Sequence, residues 1–220
     1  MTEQLVQLWP ELNKSFLETL IMVGLGLLAA LIAGLPLGIL LFVTDRGLFL
    51  ENRWIKGICG LIVNLTRSIP FIILLVFLFP FTNYLLGTTT GPYAAAVALS
   101  VAAIPFYARI VESAARDIDH GVIEAAISCG ASPWLIIKDI VLPEIKPGLI
   151  SGLTITAISL VGYSAMAGAI GGGGIGDLAI RYGYYRYDNF IMFTTVILLI
   201  VLVQAIQYLG DFLAKYVKKA

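Results

Sequence analysis

At 220 residues the chain has the length of a single domain. Hydrophobic residues make up 59% and charged residues 13%, well away from the balance of a water-soluble domain and towards that of a bilayer protein. A formal net charge of +0 leaves no basic footprint for nucleic acid, and two cysteines with one histidine leave neither a disulfide framework nor a histidine metal centre.

Residues 1–15 are polar around Trp9-Pro10 and read as a short interfacial helix. Glu3, Glu11, Lys14 and Glu18 precede the first apolar run, which is not the basic leader of a cleavable signal. Thr19 to Thr44 is uncharged and forms the first predicted membrane helix, over about 17–44. Gly24, Gly26, Gly34 and Gly38 stud it, and the pair Gly34/Gly38 lies on one face, suited to close helix packing. Asp45, Arg46, Glu51, Arg53 and Lys56 make the next loop.

Ser68 to Ala108 is then uncharged. As one helix it would run to roughly 60 Å, twice the hydrocarbon thickness, so it must turn, and Pro80, Gly87, Gly91 and Pro92 mark the turn. This predicts a second helix over about 57–84, kinked at Pro70, and a third over about 93–115. Two further uncharged runs predict helices at about 147–170 and 189–211. The predicted fold is all-α, with five transmembrane helices in one domain over 1–220 and a polar two-helix segment over 119–143.

That segment contains Glu124-Ala125-Ala126, then Gly130-Ala131-Ser132-Pro133, then Ile140-Val141-Leu142-Pro143. Gly130 suits the left-handed residue that ends a helix. Ser132-Pro133 reads as an N-cap and first helical residue, and Pro143 as the stop of the second helix. Two helices this short are unstable alone in water, so the elbow is expected to dock on a partner.

Basic residues set the orientation. Arg46, Arg53 and Lys56, then Arg109, Arg116, Lys138 and Lys146, then Lys215, Lys218 and Lys219 fall on one side; Lys14, Arg181 and Arg186 fall on the other. The richer side is cytoplasmic, so the N-terminus is expected outside, the C-terminus inside and the elbow in the cytoplasm.

Arg67 lies in Thr66-Arg67-Ser68-Ile69-Pro70. It reads either as an inward-facing charge beside a hinge near the cytoplasmic end of a pathway, or as a snorkelling arginine. Ser159, Tyr163, Ser164 and Met166 suggest a path lining, with Thr154 and Thr156 as interhelical hydrogen-bonders. Gly171-Gly172-Gly173-Gly174-Ile175-Gly176 formally holds a G-x-G-x-x-G, but no strand precedes it and no P-loop exists in the chain. It reads as an outer loop or a gate, with Gly171 and Gly174 as its bending points. Tyr182, Tyr184, Tyr185 and Tyr187 between Arg181 and Arg186 read as an interfacial belt or as a docking surface for an external protein. No nucleophile–base set can be assembled, and His120 beside Asp119 reads as a helix-cap neighbour.

The Glu124 to Pro143 stretch resembles the whole EAA signature of the permease subunits of bacterial ABC importers. Arg67-Ser68-Ile69-Pro70-Phe71, Pro80-Phe81-Thr82, Ala103-Ile104-Pro105-Phe106 and Gly162-Tyr163-Ser164-Ala165-Met166 further resemble the permeases of methionine importers, over roughly residues 15–212. The resemblance implies a type I importer permease that acts as a homodimer with two ATP-binding subunits and is fed by an external lipoprotein. ATP and magnesium would sit on the partner subunit, and this chain would hold no cofactor, metal or catalytic residue. It also implies that Glu124, Ala125, Ala126, Gly130, Ala131, Ser132, Pro133, Ile140, Leu142 and Pro143 form the coupling segment. Arg67, Pro70, Tyr163, Ser164, Met166, Gly171 and Gly174 would line the path or gate. The expected substrate is L- or D-methionine. The alternatives are a permease for another amino acid or a sulfonate, and a secondary transporter, which would need intramembrane acids that the long runs lack.

Overall fold

The computed structural model describes residues 2–219, with side chains from Leu8 to Lys218. Every regular element among these residues is helical. Among the described residues four helical stretches are long and apolar enough to cross a membrane: Leu8–Val43, Pro92–Arg116, Pro133–Gly168 and Asn189–Lys218.

The first stretch begins as α1 (Thr2–Ala29), passes through a π-helical turn (Ala30–Gly34) and ends as α2 (Leu35–Val43). The polar N-terminal segment is therefore not a separate interfacial helix. It runs straight into the membrane helix, carrying Pro10 internally at the loss of one backbone hydrogen bond. The π turn closes on the Leu35 N–H, which donates to the Ala30 carbonyl, one residue before Pro36. Widening the helix there gives the proline ring room.

The second predicted helix is in fact three. α3 (Arg53–Ser68), α4 (Phe71–Phe77) and α5 (Phe79–Leu86) follow one another. The kink expected at Pro70 is a break, with α3 and α4 at 104°. Ile69 is extended, with ψ of 124°, because the residue before a proline is pushed out of the α region, and Pro70 is extended too, with ψ of 135°. A fifth crossing exists only if α3 and α4 together count as one span.

α6 (Pro92–Arg116) is the hub. It packs against α1, α2, α3, α4, α5 and the later helix α9 (Leu142–Gly168), and its buried face is mostly alanine, which lets neighbours approach closely. Gly34 and Gly38 supply the reciprocal surface. A Cβ at Gly34 would lie 2.8 Å from the Ile104 carbonyl oxygen, and one at Gly38 would lie 2.5 Å from that of Ala108. The close packing expected of this glycine pair is thus made within the chain, against α6.

α7 (His120–Ser128) and α8 (Pro133–Leu135) form the elbow. The chain then passes through a π turn (Ile136–Val141) into α9 (Leu142–Gly168). Pro143 does not stop the second arm. As at Pro36, the π turn ends one residue earlier, with the Leu142 N–H donating to the Ile137 carbonyl, and the helix runs on through Pro143 and Pro147. The second arm is therefore the first turn of a helical stretch spanning Pro133–Gly168. α10 (Gly174–Leu178), a third π turn (Ala179–Tyr184) and α11 (Asn189–Lys219) complete the chain. Large apolar side chains stay exposed along α3, α4, α5 and α11, among them Trp54, Phe77, Tyr84 and Phe193, a surface that lipid or another protein must cover.

Candidate functional site

The elbow is built by local chemistry. Asp119 caps α7, accepting from the Gly121 N–H at 2.8 Å, and His120 is the first residue of that helix. Gly130 has φ of +80°. Its N–H donates to the Ile127 carbonyl at 2.9 Å and the Ala131 N–H to the Ala126 carbonyl at 3.0 Å, the paired bonds of a Schellman C-cap. Ser132 then caps α8, with its hydroxyl accepting from the Leu135 N–H at 3.4 Å and Pro133 at the first helical position.

Ile123 and Ile136, one on each arm, are buried in the main core and fix the elbow to the bundle. Much of the remaining surface is exposed. Glu124, Ala125, Ser132, Pro133 and Pro143 are exposed, as are the apolar Val122, Ile127, Trp134 and Leu135. Ala126, Ala131, Ile140 and Leu142 are half-buried.

Beside the elbow lies an ion cluster that the sequence shows only as scattered charges. Glu112 on α6 is 1% exposed and faces three cations: Lys56 at 2.6 Å, Arg109 at 2.6 Å and Arg116 at 2.9 Å. Lys56 Nζ also donates to Asp45 Oδ2 at 2.9 Å and to the Leu41 carbonyl at 2.7 Å, so all three of its protons are used. Arg116 bonds Asp45 as well, and Arg109 reaches the Asn64 side chain on α3. The cluster therefore ties the end of α2, both ends of α3 and the end of α6 together. A signal for part of it is visible in the sequence, since Arg109 and Arg116 flank Glu112 at i−3 and i+4 on one helix face. Its partners Lys56 and Asp45 carry no such local mark.

The expected path residues divide. Arg67, Phe71 (one residue past Pro70) and Tyr163 come together with Phe106 around a cavity of about 150 Å³. The Phe71 and Tyr163 rings stack with centroids 4.6 Å apart and planes 9° from parallel. The Arg67 guanidinium lies over the Phe106 ring, 5.9 Å from its centroid. Phe106 is ten residues from the Arg116 end of α6 and fourteen from the Pro92 end, about 15 Å and 21 Å respectively. Arg67, itself exposed, thus lies level with the middle of α6. Ser164 is buried and its hydroxyl donates to the Val161 carbonyl of its own helix at 2.8 Å, so it does not face this cavity. Met166 is exposed, further along α9.

Gly171 and Gly174 lie at the opposite end. Both have positive φ, +92° and +82°. The Gly171 carbonyl accepts from Gly91 N–H at 2.9 Å, the Gly174 N–H donates to Glu18 Oε2 at 2.8 Å, and the Ile175 N–H donates to the Thr19 hydroxyl at 3.0 Å. The glycine turn is pinned to α1 and to the start of α6. Beside it opens a polar cleft of about 420 Å³ lined by Glu11, Lys14, Glu18, Asp177 and Arg181. Arg181 pairs with Asp177 at 2.6 Å, a hydrogen bond that, with the carboxylate charge, raises the guanidinium pKa further. Tyr184, Tyr185 and Tyr187 are exposed there.

The family described as binding-protein-dependent transport system inner membrane component matches residues 34–220. The chain is 47% identical over 209 residues to the probable D-methionine transport system permease protein MetI of Pasteurella multocida, covering 95% of this chain and 96% of that protein. It is 45% identical over 180 residues to the methionine import system permease protein MetP of Bacillus subtilis, covering 82% and 81%. Among solved structures, an inward-facing conformation of the MetNI methionine ABC transporter superposes with TM-score 0.94 at 45% identity, over 99% of both chains. An amino acid ABC transporter crystallised with histidines superposes with TM-score 0.80 at 17% identity, a likeness of fold alone.

Proposed function

Since the chain belongs to the family of binding-protein-dependent transport system inner membrane components, we propose that it is the permease subunit of an ATP-driven importer that carries methionine, in the L or D form, into the bacterial cytoplasm. The observation that carries the mechanism is the elbow: anchored by Ile123 and Ile136, it leaves Val122, Ile127, Trp134 and Leu135 exposed on a polar part of the chain. An apolar surface held in that way is a docking surface. Its occupant in this reading is a separate ATP-hydrolysing subunit, which holds the nucleotide and magnesium. A second copy of the chain and an external substrate-binding lipoprotein complete the assembly.

The elbow joins α6 to the long helix that becomes α9. Displacing Glu124–Pro143 therefore moves two helices that border the Arg67–Tyr163 cavity, which fits alternating access. The break at Pro70 absorbs the motion, and the glycine turn around Gly171 and Gly174 serves as the outer gate. Basic-residue counting supports an external N-terminus and a cytoplasmic C-terminus.

The test is uptake of labelled methionine by vesicles holding the chain with its ATPase and binding protein. ATP-dependent uptake that unlabelled D-methionine competes, with no ATP turnover by the purified chain alone, is expected. Undiminished uptake without any ATPase subunit would sink the reading.

A further inference from the structure

The guanidinium of Arg67 differs from those of Arg109 and Arg116, its neighbours in the bundle. Arg109 and Arg116 meet Glu112. Arg67 is exposed and has no hydrogen bond or ion pair among the described residues; its guanidinium lies over the Phe106 ring. Arg67 is the last charge before the uncharged run that starts at Ser68, and a cation bordering such a run is costly unless it faces a partner or an aqueous path. No residue lining its cavity is acidic. The cavity therefore presents an unmatched positive charge beside the stacked pair of Phe71 and Tyr163.

We propose that Arg67, Phe71, Phe106 and Tyr163 form a passing subsite for the transported amino acid, in which Arg67 receives the α-carboxylate and the edges of the stacked aromatic rings receive the apolar side chain. The proposal rests on the importer reading above. A guanidinium binds a carboxylate through two parallel hydrogen bonds, and sulfur or methylene groups pack well on aromatic rings.

The size fits a transient hold. About 150 Å³ is roughly half the smallest volume usual for a site that encloses a drug-sized ligand, so one end of the solute enters while the rest stays in the path. Weak, partial enclosure is what a carrier needs at an intermediate stop, because a tightly enclosed solute would not leave. The Pro70 break contributes geometrically: by turning α4 through 104° from α3, it brings Phe71 round to Tyr163 of α9 while Arg67 stays on α3.

The experiment uses the complete transporter with its ATPase and binding protein in proteoliposomes, and reads labelled L-methionine carried per ATP hydrolysed. Arg67→Gln is expected to lower this ratio about tenfold, the scale of a lost charge-assisted pair, with Arg67→Lys between the two. Tyr163→Leu, which keeps apolar bulk but removes the ring, is expected to lower it about threefold. A purely structural arginine would reduce transport and ATP hydrolysis together, so an unchanged ratio in Arg67→Gln, or in Tyr163→Leu where the arginine variant does not assemble, overturns the subsite and leaves the importer reading standing. Absence of ATP-driven methionine uptake by the unmodified transporter would overturn the importer reading itself.

Discussion

Asp45 sits in the loop between α2 and α3, its side chain 30% exposed, with Lys56 and Arg116 both within 3 Å of one carboxylate oxygen. Burial pushes its pKa up, but the Lys56 hydrogen bond, the Arg46 backbone N–H and the charges of Lys56 and Arg116 outweigh that and hold it below the ordinary 3.8. A carboxyl with a depressed folded pKa stabilises the fold above the unfolded value, and that contribution is lost as pH falls through the folded one. Asp45→Asn is therefore expected to lower the thermal midpoint of the purified protein at pH 7, by an amount that shrinks below about pH 4. An equal deficit at pH 3 and pH 7 would take charge out of the explanation. Glu112, almost fully buried among three cations, belongs to the same cluster. Deleting it would strand those cations at the helix ends, the costly way to break a buried ion pair.

Among elements, the elbow has the sharpest sequence determinants. Gly130 has φ of +80°, yet an added Cβ would meet nothing within 4 Å. Its requirement is conformational rather than spatial. Gly130→Ala is thus expected to weaken the elbow by about 1 kcal/mol and Gly130→Asn by less. The readout is ATPase subunit retained on purification together with methionine uptake, and equal retention and uptake by the alanine form would refute the left-handed cap as the determinant.

The far end of the elbow teaches the opposite lesson. Pro143 reads as a stop because a proline inside an α-helix collides with the carbonyl four residues back. A π turn immediately before it removes the collision, and the same device precedes Pro36. Whether a helix ends at a proline or widens to pass it depends on what packs beyond, which the local residues do not carry. At Pro70 the chain breaks instead, α4 packs on α6 and α9, and the predicted single helix turns by 104°.

For the molecule as a whole, the orientation is open to a direct test. Cys129 is exposed at the elbow and Cys59 half-buried on α3. In a Cys59→Ser background, a membrane-impermeant maleimide is expected to label Cys129 in inside-out vesicles and not in intact cells, and an added ATPase subunit is expected to slow the labelling. Labelling from outside would reverse the topology and remove the elbow from the cytoplasm.

Composition, uncharged runs and cap residues were enough to establish a membrane-embedded helical bundle with a polar elbow, because hydrophobic length and helix capping are decided by residues within a few positions of one another. The folded chain alone decided the contacts that make those helices a machine: Lys56 with Glu112, 56 positions apart, Glu18 with Gly174, 156 apart, and Arg67 beside Phe106 and Tyr163. Charge and ring pairing at such separations depends on which helix faces meet around α6. That is settled by the fit of small residues between helices, a property of the assembled bundle that no single stretch of sequence contains.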